Sequence, residues 1–258
     1  MATYMPAQVT RVHHWSEKLF SFTTTREPSL RFENGQFIMV GLQVEGRTLA
    51  RAYSIASANH EDQLEFYSIK IPDGPLTSRL QRIREGDTVL LSAKPTGTLV
   101  LRDLRPGRRL FLLATGTGFA PFASLIRDPE VYERFEQVVL VRGARQVRDL
   151  AYGDAVVRQL QEDPLLSEMA LGKLCDYPAV TREDFRHRGR ITTLIESGGL
   201  YRDLGIAPLD PAHVRAMVCG SKGMLTDVCA LLDRRGFAIA PQIGEAGDYV
   251  IERAFVDS

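Results

Sequence analysis

From the N-terminus to about Pro106, apolar and polar residues alternate in short runs. Gln8–Val12, Leu19–Thr24 and Gln36–Val40 are rich in β-branched and aromatic residues, and turn residues such as Asn34-Gly35 separate them. Leu64–Ile69 alternates in the same way, and Glu85-Gly86-Asp87 turns the chain into Thr88–Ser92. A period of two sends successive side chains to opposite faces of a strand. Short strands at regular spacing predict a small antiparallel barrel or sandwich. One segment breaks the pattern. Leu76, Leu80 and Ile83 recur at helical spacing after Gly74-Pro75, which predicts a helix opening there.

After Pro106-Gly107 the pattern changes. Arg109–Ala114 and Val138–Val141 are nearly continuous apolar runs, as strands covered on both faces require. The first leads into a Gly-rich turn, Thr115–Phe122, with Pro121 placed to start a helix. The second is followed by a predicted helix over Leu150–Leu160. Val214–Gly220 is a third strand and precedes a helix running roughly over Met224–Arg235. Alternation of this kind predicts a doubly wound parallel sheet. The expected organisation is therefore an all-β N-terminal antiparallel barrel over residues 1–105 and an α/β unit over residues 106–258.

Composition changes this picture little. The chain has 258 residues, 44% hydrophobic and 25% charged, with a formal net charge of +0, so nothing global points to nucleic acid or an anionic membrane. No apolar run approaches a membrane span, and Met1–Pro6 lacks the features of an export signal. Three cysteines, Cys175, Cys219 and Cys229, suit reduced thiols, and a cytoplasmic location is expected. None has C-x-x-C spacing, and the five histidines show no ligand spacing, so no metal is expected.

Candidate chemistry concentrates at four places. In Arg51-Ala52-Tyr53-Ser54, the alternation puts Arg51, Tyr53 and Ile55 on one face: a cation, a flat ring and an apolar floor, with the Ser54 hydroxyl at the strand end. The segment from Gly74 offers backbone N–H groups and the Thr77 and Ser78 hydroxyls to an anion. Gly116-Thr117-Gly118-Phe119-Ala120 reads G-x-G-x-x-A between an apolar strand and a helix start, the context in which glycines admit a pyrophosphate. Beyond the second α/β strand no ribose-binding carboxylate is visible. Arg142 and Arg145 stand there instead, with Arg182 and Arg190 later, which argues for a 2′-phosphate. Cys219-Gly220-Ser221-Lys222-Gly223-Met224 ends the third strand at the ligand-binding edge, although a lone Cys is more often a small buried hydrophobe. The tail, Tyr249–Ser258, reads as a strand continuing into an apolar hook with Phe255 docked or exposed.

In this order and spacing the segments resemble the ferredoxin–NADP⁺ reductases, in particular the short bacterial type that also serves flavodoxin. The motifs are Arg51-Ala52-Tyr53-Ser54, Gly74–Leu80, Gly116-Thr117-Gly118 with Ala120-Pro121, Asp149–Tyr152, Cys219–Met224 and Ala254-Phe255-Val256, and the likeness covers essentially the whole chain. The resemblance implies FAD on the barrel and NADP(H) on the sheet. It implies that Arg51 and Thr77 hold the pyrophosphate, that Tyr53 stacks on the flavin and that Ser54 faces N5. The FAD set it suggests also includes Ala52, Tyr67, Ile69, Lys70, Gly74, Leu76 and Ser78. Cys219 would lie near the nicotinamide, Ala254 by the flavin ring and Phe255 on the adenine. Thr115, Gly116, Thr117, Gly118, Gly220 and Met224 would hold NADP, with Arg145, Arg182 and Arg190 matching the 2′-phosphate ligands best and Arg142 less well. The implied partners are ferredoxin and flavodoxin, docking transiently and electrostatically on a monomer. Two other readings stand beside this one: an oxygenase reductase component, and a flavin-binding electron-transfer subunit without nucleotide turnover.

Overall fold

The computed structural model describes residues 3–253. Six antiparallel strands form the N-terminal unit: β1 (Tyr4–His14), β2 (Leu19–Thr25), β3 (Phe37–Val44), β4 (Arg47–Ser54), β5 (Gln63–Ile69) and β6 (Thr88–Ser92). Their order is β4-β3-β6-β1-β2-β5, and a bridge between Ile55 and Phe66 joins the end of β4 to β5, which closes the barrel. Val9, Phe20, Phe22, Ile38, Val40, Leu64, Phe66, Val89 and Leu91 fill it from the inward positions. The predicted helix after Gly74 is present but short. It spans only α1 (Thr77–Leu80), yet Leu76, Leu80 and Ile83 all pack into the barrel core. It stops because the chain must turn into β6, and the Asp87 carboxylate fixes that turn by accepting from the Arg84 N–H at 2.8 Å.

The C-terminal unit is a five-stranded parallel sheet made of β7 (Arg109–Thr115), β8 (Gln137–Ala144), β9 (Leu174–Val180), β10 (Val214–Gly220) and β11 (Tyr249–Arg253), in the order β11-β10-β7-β8-β9. The helices are α2 (Ala120–Leu125), α3 (Pro129–Arg134), α4 (Ala151–Glu162), α5 (Leu166–Ala170), α6 (Ile191–Glu196), α7 (Gly199–Leu204) and α8 (Lys222–Arg234). Every residue of β10 is buried, as a strand covered on both faces requires. β9 was not evident from sequence, because Asp176 and Pro178 interrupt its apolar pattern. It is an edge strand, where a proline is tolerated. The chain runs outward from β7 to β9 and then returns to β10, so strand order reverses between β7 and β10. Crevices at such reversals bind ligands at the carboxyl ends of the strands.

A continuous seam fixes the two units to each other. Leu19, Ala56 and Tyr67 of the barrel share one core with Phe119, Phe122, Tyr132 and Tyr152 of the α/β unit. The Tyr67 ring stacks on Tyr152 at 4.1 Å between centroids, and Trp15 and Phe119 approach Tyr152 edge-on. Buried Arg127 donates to the Ala56 carbonyl at 3.1 Å, to Glu65 at 3.3 Å and to Gln159 at 3.1 Å. Asn34 donates to Asp128 at 2.7 Å and accepts from the Ser124 hydroxyl at 2.8 Å and the Asn59 N–H at 2.7 Å. Buried polar groups satisfied across a seam leave it one geometry, so the two ligand-bearing edges keep a fixed relation.

Candidate active site

The barrel edge comes first. In β4, Arg51 and Tyr53 pair with the buried Val40 and Ile38 of β3, while Ala52, on the opposite face, is exposed. Arg51 and Tyr53 are half-buried, and Ile55 is fully buried beyond them. The Tyr53 phenol accepts from the Ser68 hydroxyl at 3.4 Å, and burial pushes its pKa up, so it stays neutral. Arg51 donates one N–H to the Ala50 carbonyl at 3.0 Å, and its other donors have no protein partner among the described residues. Ser54 is half-buried opposite Phe37.

At the helix start, Gly74 is required because a Cβ there would overlap the Thr77 hydroxyl. That hydroxyl donates to the Ile71 carbonyl at 3.2 Å, so it orders its own loop. Leu76 is core, and the half-buried Ser78 hydroxyl is without a protein partner among the described residues. Ile69 is half-buried on the seam. The Lys70 ammonium donates to the Ser16 carbonyl at 2.8 Å, which ties it to the β1–β2 turn. Tyr67 departs from expectation. Its ring is buried against Tyr152 because adjacent strand residues face opposite ways, and Ser68, not Tyr67, reaches Tyr53. Tyr67 is therefore a seam residue, and it also lines the cleft beside Gly116 and Phe119. The free donors of Arg51 beside the flat Tyr53 ring, with the unpartnered Ser78 hydroxyl at the start of α1, are the groups a dinucleotide flavin needs.

The second edge is the turn after β7 packed on the turn after β10. Gly116 has φ +56° with nothing near its missing side chain, so the space above it is open. Gly118 is the opposite case, since a Cβ there would overlap the Cys219 carbonyl and the Gly220 nitrogen. Thr115 joins the two turns. Its hydroxyl accepts from the Ser221 N–H at 3.4 Å and lies where a Gly220 side chain would stand. Thr117 is half-buried between the two glycines. Ser221 caps α8 by accepting from the Met224 N–H at 3.4 Å, and the Met224 sulfur lies beside Gly220. Both turns thus present close-packed backbone at the sheet's reversal point, which suits an anionic nucleotide.

The arginines divide into two groups. Arg145 and Arg182 are exposed beyond β8 and β9, and the Arg182 N–H donates to the Arg145 carbonyl at 3.0 Å. Exposed Arg190 precedes α6 on a loop held back to β9 by the Gly189 N–H on the Val180 carbonyl at 2.9 Å. None of these three side chains forms an ion pair among the described residues. Arg142 stands apart from these three. It is buried within β8, and its donors are engaged by Asp176 at 2.6 Å and Asp154 at 2.8 Å.

Cys219 is fully buried, and burial holds its thiol neutral with a pKa well above the usual value. Its register partner on β11 is Glu252, which sequence reasoning missed. The signal was a lone acid in the apolar run Tyr249-Val250-Ile251. The Glu252 carboxylate accepts from the Thr98 N–H at 3.2 Å, and burial raises its pKa to about 7 despite that bond. The folded state therefore holds this proton more tightly than the unfolded chain, whose value is 4.5. The associated stability is fully present below pH 4.5 and is lost as pH rises through about 7. Glu252→Gln should leave the melting temperature almost unchanged near pH 5 and raise it at pH 8. Parallel melting profiles for the two proteins would refute this. Ala254 and Phe255 lie outside the described residues.

A chain of neighbouring residues connects the edges. Ser54 pairs with Phe37, Phe37 bridges to Thr96, and Gly97 sits against both Phe37 and the Glu252 carboxylate, which neighbours Cys219. The Thr98 hydroxyl also donates to the Ile251 carbonyl at 2.7 Å.

Residues 7–100 match the family model of an oxidoreductase FAD-binding domain, and residues 112–230 match that of an oxidoreductase NAD-binding domain. The chain is 58% identical over 250 residues to the ferredoxin–NADP reductase of Azotobacter vinelandii, covering 97% of each. It is 52% identical over 249 residues to the flavodoxin/ferredoxin–NADP reductase of Rhodobacter capsulatus, covering 96% of this chain and 92% of the relative. A crystal structure of a ferredoxin NADP⁺ reductase from Neisseria gonorrhoeae with bound FAD and NADP superposes with a TM-score of 0.88 at 29% identity, covering 99% of this chain and 100% of the other.

Proposed function

The chain belongs to the ferredoxin–NADP reductase family, and from that premise we propose how its two edges divide the work. It is an FAD-dependent oxidoreductase that moves electrons between NADP(H) and the one-electron carriers ferredoxin and flavodoxin. The barrel unit, residues 1–105, holds FAD, and residues 106–258 hold NADP(H). Bound FAD supplies a ring that accepts electrons in pairs and releases them singly.

The protein's own contribution is placement. Arg51 and Thr77, with Ser78 and the N–H groups at the start of α1, hold the pyrophosphate of FAD. Tyr53 supplies a neutral ring for stacking, and Ser54 offers a hydroxyl at the strand end. The Gly116–Gly118 and Cys219–Gly220 turns hold the nucleotide backbone of NADP(H), while Arg145, Arg182 and Arg190 take its 2′-phosphate. Cys219 contributes shape rather than charge, because its thiol is buried and neutral. The contact chain Ser54–Phe37–Thr96–Gly97–Glu252–Cys219 carries this reading, because it brings the two edges to one place. Holding the reacting rings at a fixed separation turns an encounter into an effectively unimolecular step.

The deciding experiment is reduction of a purified ferredoxin and a purified flavodoxin by NADPH and this protein at matched concentrations. Reduction of either, by protein that releases FAD on denaturation, is expected. Release of FMN, or nicotinamide oxidation that reaches neither carrier, would overturn the assignment.

The partner would dock transiently on a monomer, at a basic face beside the flavin edge. Arg79, Arg82 and Arg84 are exposed on α1 and the turn after it. Ferredoxins and flavodoxins are acidic as a class, so rates with a carrier protein should fall as salt rises. Ferricyanide rates at saturating NADPH should change less. Salt-independent carrier rates would remove the steering role. No described helix is long and apolar enough to cross a membrane. A cytoplasmic site of action agrees with three free thiols.

A further inference from the structure

A guanidinium buried at the carboxyl end of a parallel sheet must place all its donors, and Arg142 spreads them over several elements. It is 4% exposed. Nε and Nη2 donate to the two carboxylate oxygens of Asp176 on β9 at 2.8 and 2.6 Å. Nη2 also donates to Asp154 on α4 at 2.8 Å, and Nη1 reaches the Leu150 carbonyl at 3.4 Å. Its Cζ stands 5.7 Å over the Phe119 ring, in the turn that carries Gly116 and Gly118. Gly153 of α4 completes the fit, because a Cβ there would overlap Nη1.

Arg145 lies just past the end of the strand that carries Arg142, and Arg182 just past the end of the strand that carries Asp176. The bidentate pair therefore fixes, relative to each other, the two strands beyond whose ends the arginine rim stands. The backbone bond from Arg182 to Arg145 continues the same ladder. Charge adds a second effect. Asp176 and Asp154 both lie beneath a site that must receive an anion, and Arg142 is the cation between them. With Arg142 gone, neither carboxylate would be compensated, and Asp176, the more buried of the two, would act on the rim with less screening.

We infer that Arg142 is a positioning residue for coenzyme choice: without contacting the 2′-phosphate, it aligns the Arg145–Arg182 rim and shields it from Asp154 and Asp176. The inference rests on the NADP reading above. It is tested on the FAD-loaded full-length protein, by NADPH and NADH kinetics with ferricyanide and by calorimetric titration with 2′,5′-ADP. Arg142→Met should raise the NADPH KM and the 2′,5′-ADP Kd about tenfold, and should raise the NADH KM far less. Adding Asp154→Asn and Asp176→Asn to Arg142→Met should restore about threefold or more of the lost 2′,5′-ADP affinity by removing the exposed charges. Asp154→Asn alone, at a half-exposed carboxylate whose change leaves Arg142 paired with Asp176, should bind 2′,5′-ADP somewhat more tightly than the unaltered protein. It carries the test if Arg142→Met does not fold.

A merely structural role predicts lower melting temperatures with an unchanged ratio of NADPH to NADH KM in the folded variants, and that result would overturn the inference. So would Asp154→Asn binding 2′,5′-ADP no better than the unaltered protein. Arg145→Ala separates the two readings. If it leaves 2′,5′-ADP binding intact, the NADP reading itself fails. If it weakens binding while Arg142→Met does not, only the present inference fails.

Discussion

Arg145→Ala and Arg182→Ala should each raise the KM for NADPH by about ten- to a hundred-fold. A guanidinium meets a phosphate through paired, charge-assisted hydrogen bonds, and hydrogen bonds to charged groups contribute about 1.5–3 kcal/mol each. Both side chains are exposed at the carboxyl edge without an ion pair among the described residues, so neither substitution breaks a structural contact. The turnover number should move little, because the 2′-phosphate is remote from the transferred hydride and its binding is largely uniform between ground and transition states. NADH lacks the phosphate and should respond weakly. Steady-state kinetics with both coenzymes and a saturating artificial acceptor make the comparison. If both variants kept wild-type NADPH kinetics, the 2′-phosphate assignment would be wrong.

Gly118→Ala should be the most damaging single-methyl change in the molecule's two nucleotide edges. The added Cβ would meet the Cys219 carbonyl and the Gly220 nitrogen, both backbone atoms that no rotamer change can move aside. Cys219 is held on both sides by the parallel ladder, to Ala114 and to Glu252, so the turn itself must give way. Overpacking of this kind costs about 1–3 kcal/mol, and a chain of this size loses roughly 2–4 °C of melting temperature per kcal/mol. The displaced turn should also bind NADPH poorly even where the protein remains folded. Gly116→Ala is the matched control. It meets no neighbour, and its φ of +56° costs a residue with a side chain roughly 1–2 kcal/mol of backbone strain. Equal melting temperatures and equal NADPH KM values for the two variants would show that the close approach of Gly118 to Cys219 is not what holds the turn.

Much of this protein is determined locally and could be read without tertiary structure. The period-two strands before Pro106 and the continuous apolar runs of β7, β8 and β10 depend on which faces a strand buries, and that is written in residue order. Glycine positions are similar. Gly116 and Gly118 between an apolar strand and Pro121 announce a nucleotide turn, because one needs a positive φ and the other a close backbone approach. Tertiary structure alone decided several other features. Asp176 and Pro178 hid β9, since only the strand order makes it an edge that tolerates both. Tyr67 reads as one more aromatic beside the flavin strand, but the seam turns its ring onto Tyr152. Arg142 and Arg145 stand three residues apart at one strand end, and only the fold buries the first between two carboxylates and leaves the second exposed. Glu252 gains its raised pKa of about 7 from burial beside Thr98, far away in the chain. In each case the deciding quantity is the set of neighbours brought in by residues distant in sequence, and desolvation and pairing, unlike periodicity, are properties of that set.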